Sequence, residues 1–180
     1  MDVRAATAGD AEAIRDIYNL EVTTSTVTFD LVPRTLAEQV EWLEQRSGTH
    51  TAVVATDGPT VVGFGSLSSY RDRPAYNTTV EDSVYVHRDH RSRGVGKLVL
   101  AELVDTARAR GFHTVLGRIV GGHEASIGLH ESLGFAMVGT EVEVGRKFGR
   151  WLDVVVMQLL LDGPPTPGAG PRTRPPVLGD

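Results

Sequence analysis

Cysteine is absent from the chain. That removes a disulfide framework, a thiol nucleophile and a thiolate metal site together. Cations are not in excess either: 18 Lys and Arg stand against 23 Asp and Glu, for a formal net charge of −5. A general nucleic-acid binder needs a basic face that displaces counterions from phosphates, so no nucleic-acid partner is expected. No apolar run approaches the ~20 residues of a membrane span, and Met1-Asp2-Val3-Arg4 does not open a charged-then-apolar signal segment. The expectation is a soluble, cytoplasmic protein without a membrane partner. Nor is there a G-x-G-x-x-G after an early strand or a G-x-x-x-x-G-K-S/T, which takes the main support from nicotinamide and nucleoside-triphosphate readings.

What is present is 180 residues, 41% of them apolar, enough for one domain with a real core. Val3 to Ala6 reads as a short strand. Thr7 with Asp10, and Thr35 with Glu38, have the form of capping boxes, each opening a helix whose apolar residues keep helical spacing. The threonine-rich run from Glu21 to Phe29 suits a loop or an edge. Thr51 to Ala55 and Val61 to Leu67 flank Asp57-Gly58-Pro59 as a hairpin, and Ser68 to Thr79 reads as a surface loop. A strand over Val80 to Val86, a long helix ending at Gly111, a strand over Val115 to Val120 and a short helix over Ala125 to Leu133 follow. Phe135 to Val144 and Leu152 to Leu161 read as two antiparallel strands joined by residues 145–151. Residues 1–161 therefore make the domain, and 162–180, rich in proline and glycine, read as a disordered tail.

The most informative stretch is Val84 to Lys97, where an apolar strand end gives way to a basic, glycine-punctuated turn and then a helix. Gly94 and Gly96 remove the Cβ atoms that would hold a ligand's phosphates away from the backbone. The helix start aims unpaired N–H groups and the positive dipole end at the same place. Arg91, Arg93 and Lys97 add side-chain charge, so a pyrophosphate is the expected ligand.

Arg91-Ser92-Arg93-Gly94-Val95-Gly96 resembles the Arg-x-x-Gly-x-Gly acyl-coenzyme A loop of the GNAT N-acetyltransferases. Ala125 to Phe135 resembles the segment that packs along the coenzyme's pantetheine arm in that superfamily. Thr24 to Phe29, Glu81 to Val86 and Lys147 to Asp153 look like the phosphinothricin and methionine-sulfoximine acetyltransferases within it. The order of elements gives a mixed α/β sheet flanked by helices. The resemblance implies a GNAT-like, mostly antiparallel central sheet of about seven strands with about four helices. It also implies acetyl-CoA as co-substrate, no metal, and direct transfer of the acetyl group to a small amino-acid-like amine in a ternary complex.

Carried onto this chain, the resemblance makes Glu81 the general base and His130 the proton donor to sulfur. Asp82, next in the strand, is expected on the opposite face. Val84, Tyr85, Val86, Arg91, Ser92, Arg93, Gly94, Val95, Gly96 and Lys97 would hold the coenzyme. Where the family commonly has an asparagine three residues before Ser126, this chain has His123, which keeps a hydrogen bond but not the amide's paired donor and acceptor. Arg71 and Arg73 offer guanidinium forks to an acceptor carboxylate or phosphinate, and Phe29 resembles the family's pocket aromatic. Lys147, Trp151 and Asp153 serve either the pocket or a dimer interface, and a homodimer is expected. A different amine acceptor (polyamine, aminoglycoside or protein N terminus) and a non-catalytic acyl-coenzyme A sensor remain as alternatives.

Overall fold

The structure, a computed structural model, describes residues 1–46, 48 and 50–161. The expected tail over 162–180 lies outside the described residues. The elements in order are β1 (Asp2–Ala5), α1 (Ala11–Thr24), α2 (Leu36–Glu44), β2 (Ala52–Asp57), β3 (Thr60–Ser69), β4 (Thr79–Val86), α3 (Val95–Ala109), β5 (Thr114–Val120), α4 (Glu124–Glu131), β6 (Ala136–Lys147) and β7 (Arg150–Leu160). They form one seven-stranded sheet in the order β1-β2-β3-β4-β5-β7-β6, in which only the β4–β5 pair is parallel. The mixed, mostly antiparallel sheet with four α-helices is the architecture expected.

Both capping boxes form. The Thr7 amide donates to Asp10, and the Glu38 amide donates to the Thr35 hydroxyl while Glu38 accepts from the Thr35 amide. One side of the sheet buries Val95, Val99, Leu100 and Leu103 of α3 against Val62, Val80, Val115 and Met157. The other packs Ile14, Ile17, Tyr18 and Val22 of α1 against Val54 and Phe64, with Tyr85 joining from β4. At about 1.5–3 kcal/mol for each large apolar side chain, these two layers dominate the folding free energy.

Two local expectations are corrected. Helix α1 runs on to Thr24 rather than ending near Glu21, because the Thr23 and Thr24 hydroxyls donate back to the carbonyls of Asn19 and Leu20 and Val22 is buried on the core side. The β6–β7 connection is not seven residues long. Lys147 pairs with Arg150 across a two-residue turn, Phe148-Gly149, whose positive φ values of 50° and 76° match the twist of a hairpin.

What positions the site is the meeting of β4 and β5. Thr79–Asp82 pair with Thr114–Gly117, and beyond that register β4 has no partner on its β5 side among the described residues. The His87 amide donates to the Val62 carbonyl at 2.9 Å. Since alternate residues of an antiparallel ladder bond to the same neighbour, Tyr85 and Ser83 turn their backbone groups to β3 while Val84 and Val86 turn theirs into the opening.

Candidate active site

The opening between β4 and β5 leads into a cavity of 410 Å³ lined by Val84, Tyr85 and Val86, by Arg91, Ser92, Gly94, Val95, Gly96 and Lys97, and by His123. Its floor is the start of α3. Gly94 caps that helix at φ +83°, a left-handed conformation that a side chain disfavours, and Ser92 is also left-handed at +59°. Successive turns of this kind, followed by a helix N-terminus, cluster N–H groups around an anion. An ideal Cβ on Gly94 would meet no atom of the described residues within 4 Å beyond its chain neighbours, so the space beside this backbone is open to a ligand. Free backbone edge, anion-directed turn and cations together fit the pantetheine arm and pyrophosphate of a coenzyme A ester.

Of the residues expected in the cradle, Arg93 alone is not a lining residue; its Nη2 reaches Asp57 Oδ2 at 3.4 Å. Arg91 lines the cavity but donates to Glu21 Oε1 at 2.8 Å, an oxygen that also accepts from Arg88 Nε at 2.9 Å. Glu21 is buried, and its other oxygen, Oε2, has no hydrogen-bond partner among the described residues. Burial pushes the Glu21 carboxyl up, but Arg88, Ser25 and Arg91 outweigh it and hold the group below its ordinary range. Sequence reasoning missed this residue, although a carboxylate on the apolar stripe Ile14, Ile17, Tyr18, Val22 is itself a sign of a buried partner.

His123 caps α4, its Nδ1 accepting from the Ser126 amide at 3.2 Å. Its remaining ring nitrogen is the one hydrogen-bonding group it can offer the cavity. A smaller space of 80 Å³ continues into the β4–β5 opening and is lined by Ser83, Arg118, Val120, His123 and His130 among others. Tyr85 belongs to an aromatic cluster, stacked on Phe64 at 5.0 Å and edge-on to Tyr18 at 5.1 Å.

Glu81 and Asp82 fall on opposite faces. Asp82 is buried on the α4 side, where its Oδ2 lies 3.1 Å from His130 Nε2. His130 Nδ1 lies 2.7 Å from the Ser126 carbonyl, so neither ring nitrogen is free. An ideal Cβ on Gly117 would sit 2.8 Å from the imidazole; only glycine leaves room for it beneath β5. Burial alone would lower the His130 pKa, but the Asp82 carboxylate and the Ser126 carbonyl outweigh it and raise it.

Glu81 occupies the α1 face, half-buried. Burial pushes its carboxyl upward, the neighbouring charges of Asp82 and Glu141 push the same way, and Arg118 and Arg71 oppose them. Arg118 is a further residue the sequence reading missed. It donates through both terminal nitrogens to Glu141 of β6. Nothing in the spacing of a β5 arginine and a β6 glutamate marks them as partners; the strand order does.

The loop before β4 places Arg71 and Arg73 along a separate 510 Å³ depression with Tyr70 and Tyr76. The Arg71 guanidinium lies 4.8 Å above the Tyr70 ring. Phe29 packs on Gly145 so closely that an ideal Cβ there would stand 2.2 Å from its ring. Buried Lys147 donates to the Thr28 carbonyl at 2.8 Å, tying the β6–β7 tip to the same segment. Thus Lys147 supports the loop that carries Phe29.

The Acetyltransferase (GNAT) family model matches residues 14–135. The chain is 36% identical over 180 residues to an L-amino acid N-acyltransferase, MnaT, of Escherichia coli strain K12, covering 99% of this chain and 100% of that one. It is 40% identical over 162 residues to an L-methionine sulfoximine/L-methionine sulfone acetyltransferase of Pseudomonas paraeruginosa, covering 89% and 94%. A crystal structure of a GNAT superfamily phosphinothricin acetyltransferase from Sinorhizobium meliloti in complex with AcCoA superposes with a TM-score of 0.87 at 38% identity, covering 94% of this chain and 95% of that one. With the family model matching most of the domain, relatives 36–40% identical over nearly the whole chain and a cradle that fits the coenzyme, the chain belongs to the GNAT acetyltransferase family and is an acetyl-CoA-dependent N-acetyltransferase.

Proposed function

We propose that this enzyme acetylates the α-amine of a small amino acid of the phosphinothricin, methionine sulfoximine or methionine sulfone type, by direct transfer in a ternary complex. The observation that carries the reading is Glu81: a half-buried carboxylate with a raised pKa, on β4 one residue before its last pair with β5. The names of the relatives point to the same acceptor class. Bound acetyl-CoA supplies the acetyl thioester; the chain's own groups supply the rest.

A carboxylate shifted upward is a better match to an ammonium than one at its ordinary value near 4.3, and it takes the proton directly or through a water. Backbone N–H groups of Val84 and Val86, turned into the opening, stabilise negative charge developing on the thioester oxygen. The cradle residues Arg91 and Lys97 hold the pyrophosphate, and His123, its Nδ1 already accepting from the Ser126 amide, donates one hydrogen bond from Nε2 to the arm. His130 holds a proton beside the small cavity and returns it to the thiolate, opening one of its two hydrogen bonds to do so. Arg71, Arg73 and Phe29 contact the acceptor.

The protein acts in the cytoplasm as a homodimer. β6 is the sheet edge, and it exposes Met137, Val138, Val142 and Val144, with Trp151 beside them on β7, a surface that a second copy covers. Sedimentation equilibrium tests this, with a mass of twice the 19.4 kDa chain expected. The acceptor reading is tested by a thiol-release screen of phosphinothricin, methionine sulfoximine, methionine sulfone, ordinary amino acids, spermidine and an aminoglycoside. Turnover concentrated in the first three is expected; preference for a polyamine or aminoglycoside overturns it. Initial-rate plots in the two substrates should intersect, and parallel lines would contradict direct transfer.

A further inference from the structure

We propose that Arg118 receives the acceptor's α-carboxylate, and that Glu141 holds its guanidinium in place until the acceptor arrives. The inference rests on the amino-acid reading above and assigns the group that recognises the acid. Glu81 pairs in register with Leu116, so Arg118, two residues further along β5, shares its face of the sheet. Adjacent strands are about 4.8 Å apart and two residues advance about 6.6 Å, which sets the two Cα atoms on a diagonal of about 8 Å. Side chains of this length converge from such positions. An α-amino acid carries its amine and its carboxylate on one carbon, so a base and a guanidinium side by side match that pair of groups.

Arg118 also stands at the right place along the strand. Gly117 is the last β5 residue paired with β4, and Arg118, immediately after it, lines the small cavity in the opening. Its charge already acts on Glu81, in the sense that opposes the rise of the Glu81 pKa.

Glu141 shows what the guanidinium donates to: both carboxylate oxygens, one from each terminal nitrogen, the fork geometry that an α-carboxylate reproduces. The Arg118 and Glu141 side chains are 35% and 39% exposed. A pair that open to water is worth roughly 0–1 kcal/mol, so an incoming carboxylate can displace Glu141 at little cost. Arg71, on the loop before β4 and with its charge reaching Glu81, is then left for the acceptor's side chain.

The test compares L-methionine sulfone with its carboxamide at saturating acetyl-CoA. In the parent enzyme the acid has the lower KM, by about 10-fold or more, as a charge-assisted fork requires. Arg118→Gln raises the KM of the acid until the preference for acid over amide falls to near 1. Arg118→Lys, which keeps the charge without the fork, falls between. Glu141→Gln lowers the KM of the acid by about 2–5-fold, in keeping with a weak exposed pair. Melting curves of each variant establish that it is folded. A parent enzyme that prefers the acid, together with an Arg118→Gln variant that keeps the preference, overturns the assignment while leaving the amino-acid reading standing. A parent enzyme that turns over the amide as well as the acid overturns both.

Discussion

His130 Nε2 lies 3.1 Å from Asp82 Oδ2, and His130 Nδ1 lies 2.7 Å from the Ser126 carbonyl oxygen. A carbonyl and a carboxylate both accept, and a neutral imidazole has only one N–H to give. The pair is satisfied when the ring carries both protons, as an imidazolium against a carboxylate. Because the folded pKa of His130 is raised, the stability it contributes is fully present below its unfolded value near 6.5 and is lost as pH rises through the folded value. Asp82→Asn should therefore destabilise the protein by about 1–3 kcal/mol at pH 6 and by less at pH 9. Denaturant unfolding at the two pH values checks this; an equal loss at both would show that the ring does not change protonation state between them.

Gly94→Val tests the cradle. Its φ of +83° is strained for a β-branched residue, so the melting temperature should fall by the equivalent of about 1–3 kcal/mol. Coenzyme binding, measured by calorimetry, should weaken by at least an order of magnitude, because the new side chain occupies the open space beside the turn.

Gly145→Ala tests the acceptor side separately. A Cβ at that position would overlap the Phe29 ring at 2.2 Å, and Phe29 must move. The expected outcome is an acceptor KM raised by about 10-fold with an unchanged coenzyme dissociation constant. A change in both would mean that the hairpin tip also shapes the cradle.

Arg4 donates from both terminal nitrogens to Asp10 at 2.8 Å, and the Asp10 pKa is lowered to about 2, chiefly by those hydrogen bonds against the opposing effect of burial. A lowered carboxylate contributes stability above its unfolded value near 3.9 and loses it as pH falls toward 2. Asp10→Asn should cost about 1–2 kcal/mol at pH 7, and the difference from the parent should close by pH 2. Acid titration of the unfolding free energy measures both.

Features set by neighbours in the chain were legible in advance. The capping boxes at Thr7 and Thr35, the glycine turn at Gly94 and the opposite faces of Glu81 and Asp82 depend on spacings of one to three residues. Features set by strand order were not. Arg118 and Glu141 meet only because β7 lies between β5 and β6, and Glu21 meets Arg88 and Arg91 across about seventy residues of chain. The end of α1 was misplaced because threonine's propensity is local while the burial of Val22 is not. His123 was legible as a substitution, but its role as the cap of α4 was visible only with Ser126 beside it.

The most direct test is single-turnover acetylation of L-methionine sulfone by Glu81→Gln at pH 7, with coenzyme binding measured on the same sample. The expected result is a coenzyme dissociation constant within about 2-fold of the parent and a rate lower by about 10²–10⁴, the usual worth of a general base. A variant that binds the coenzyme and transfers at the parental rate would contradict it.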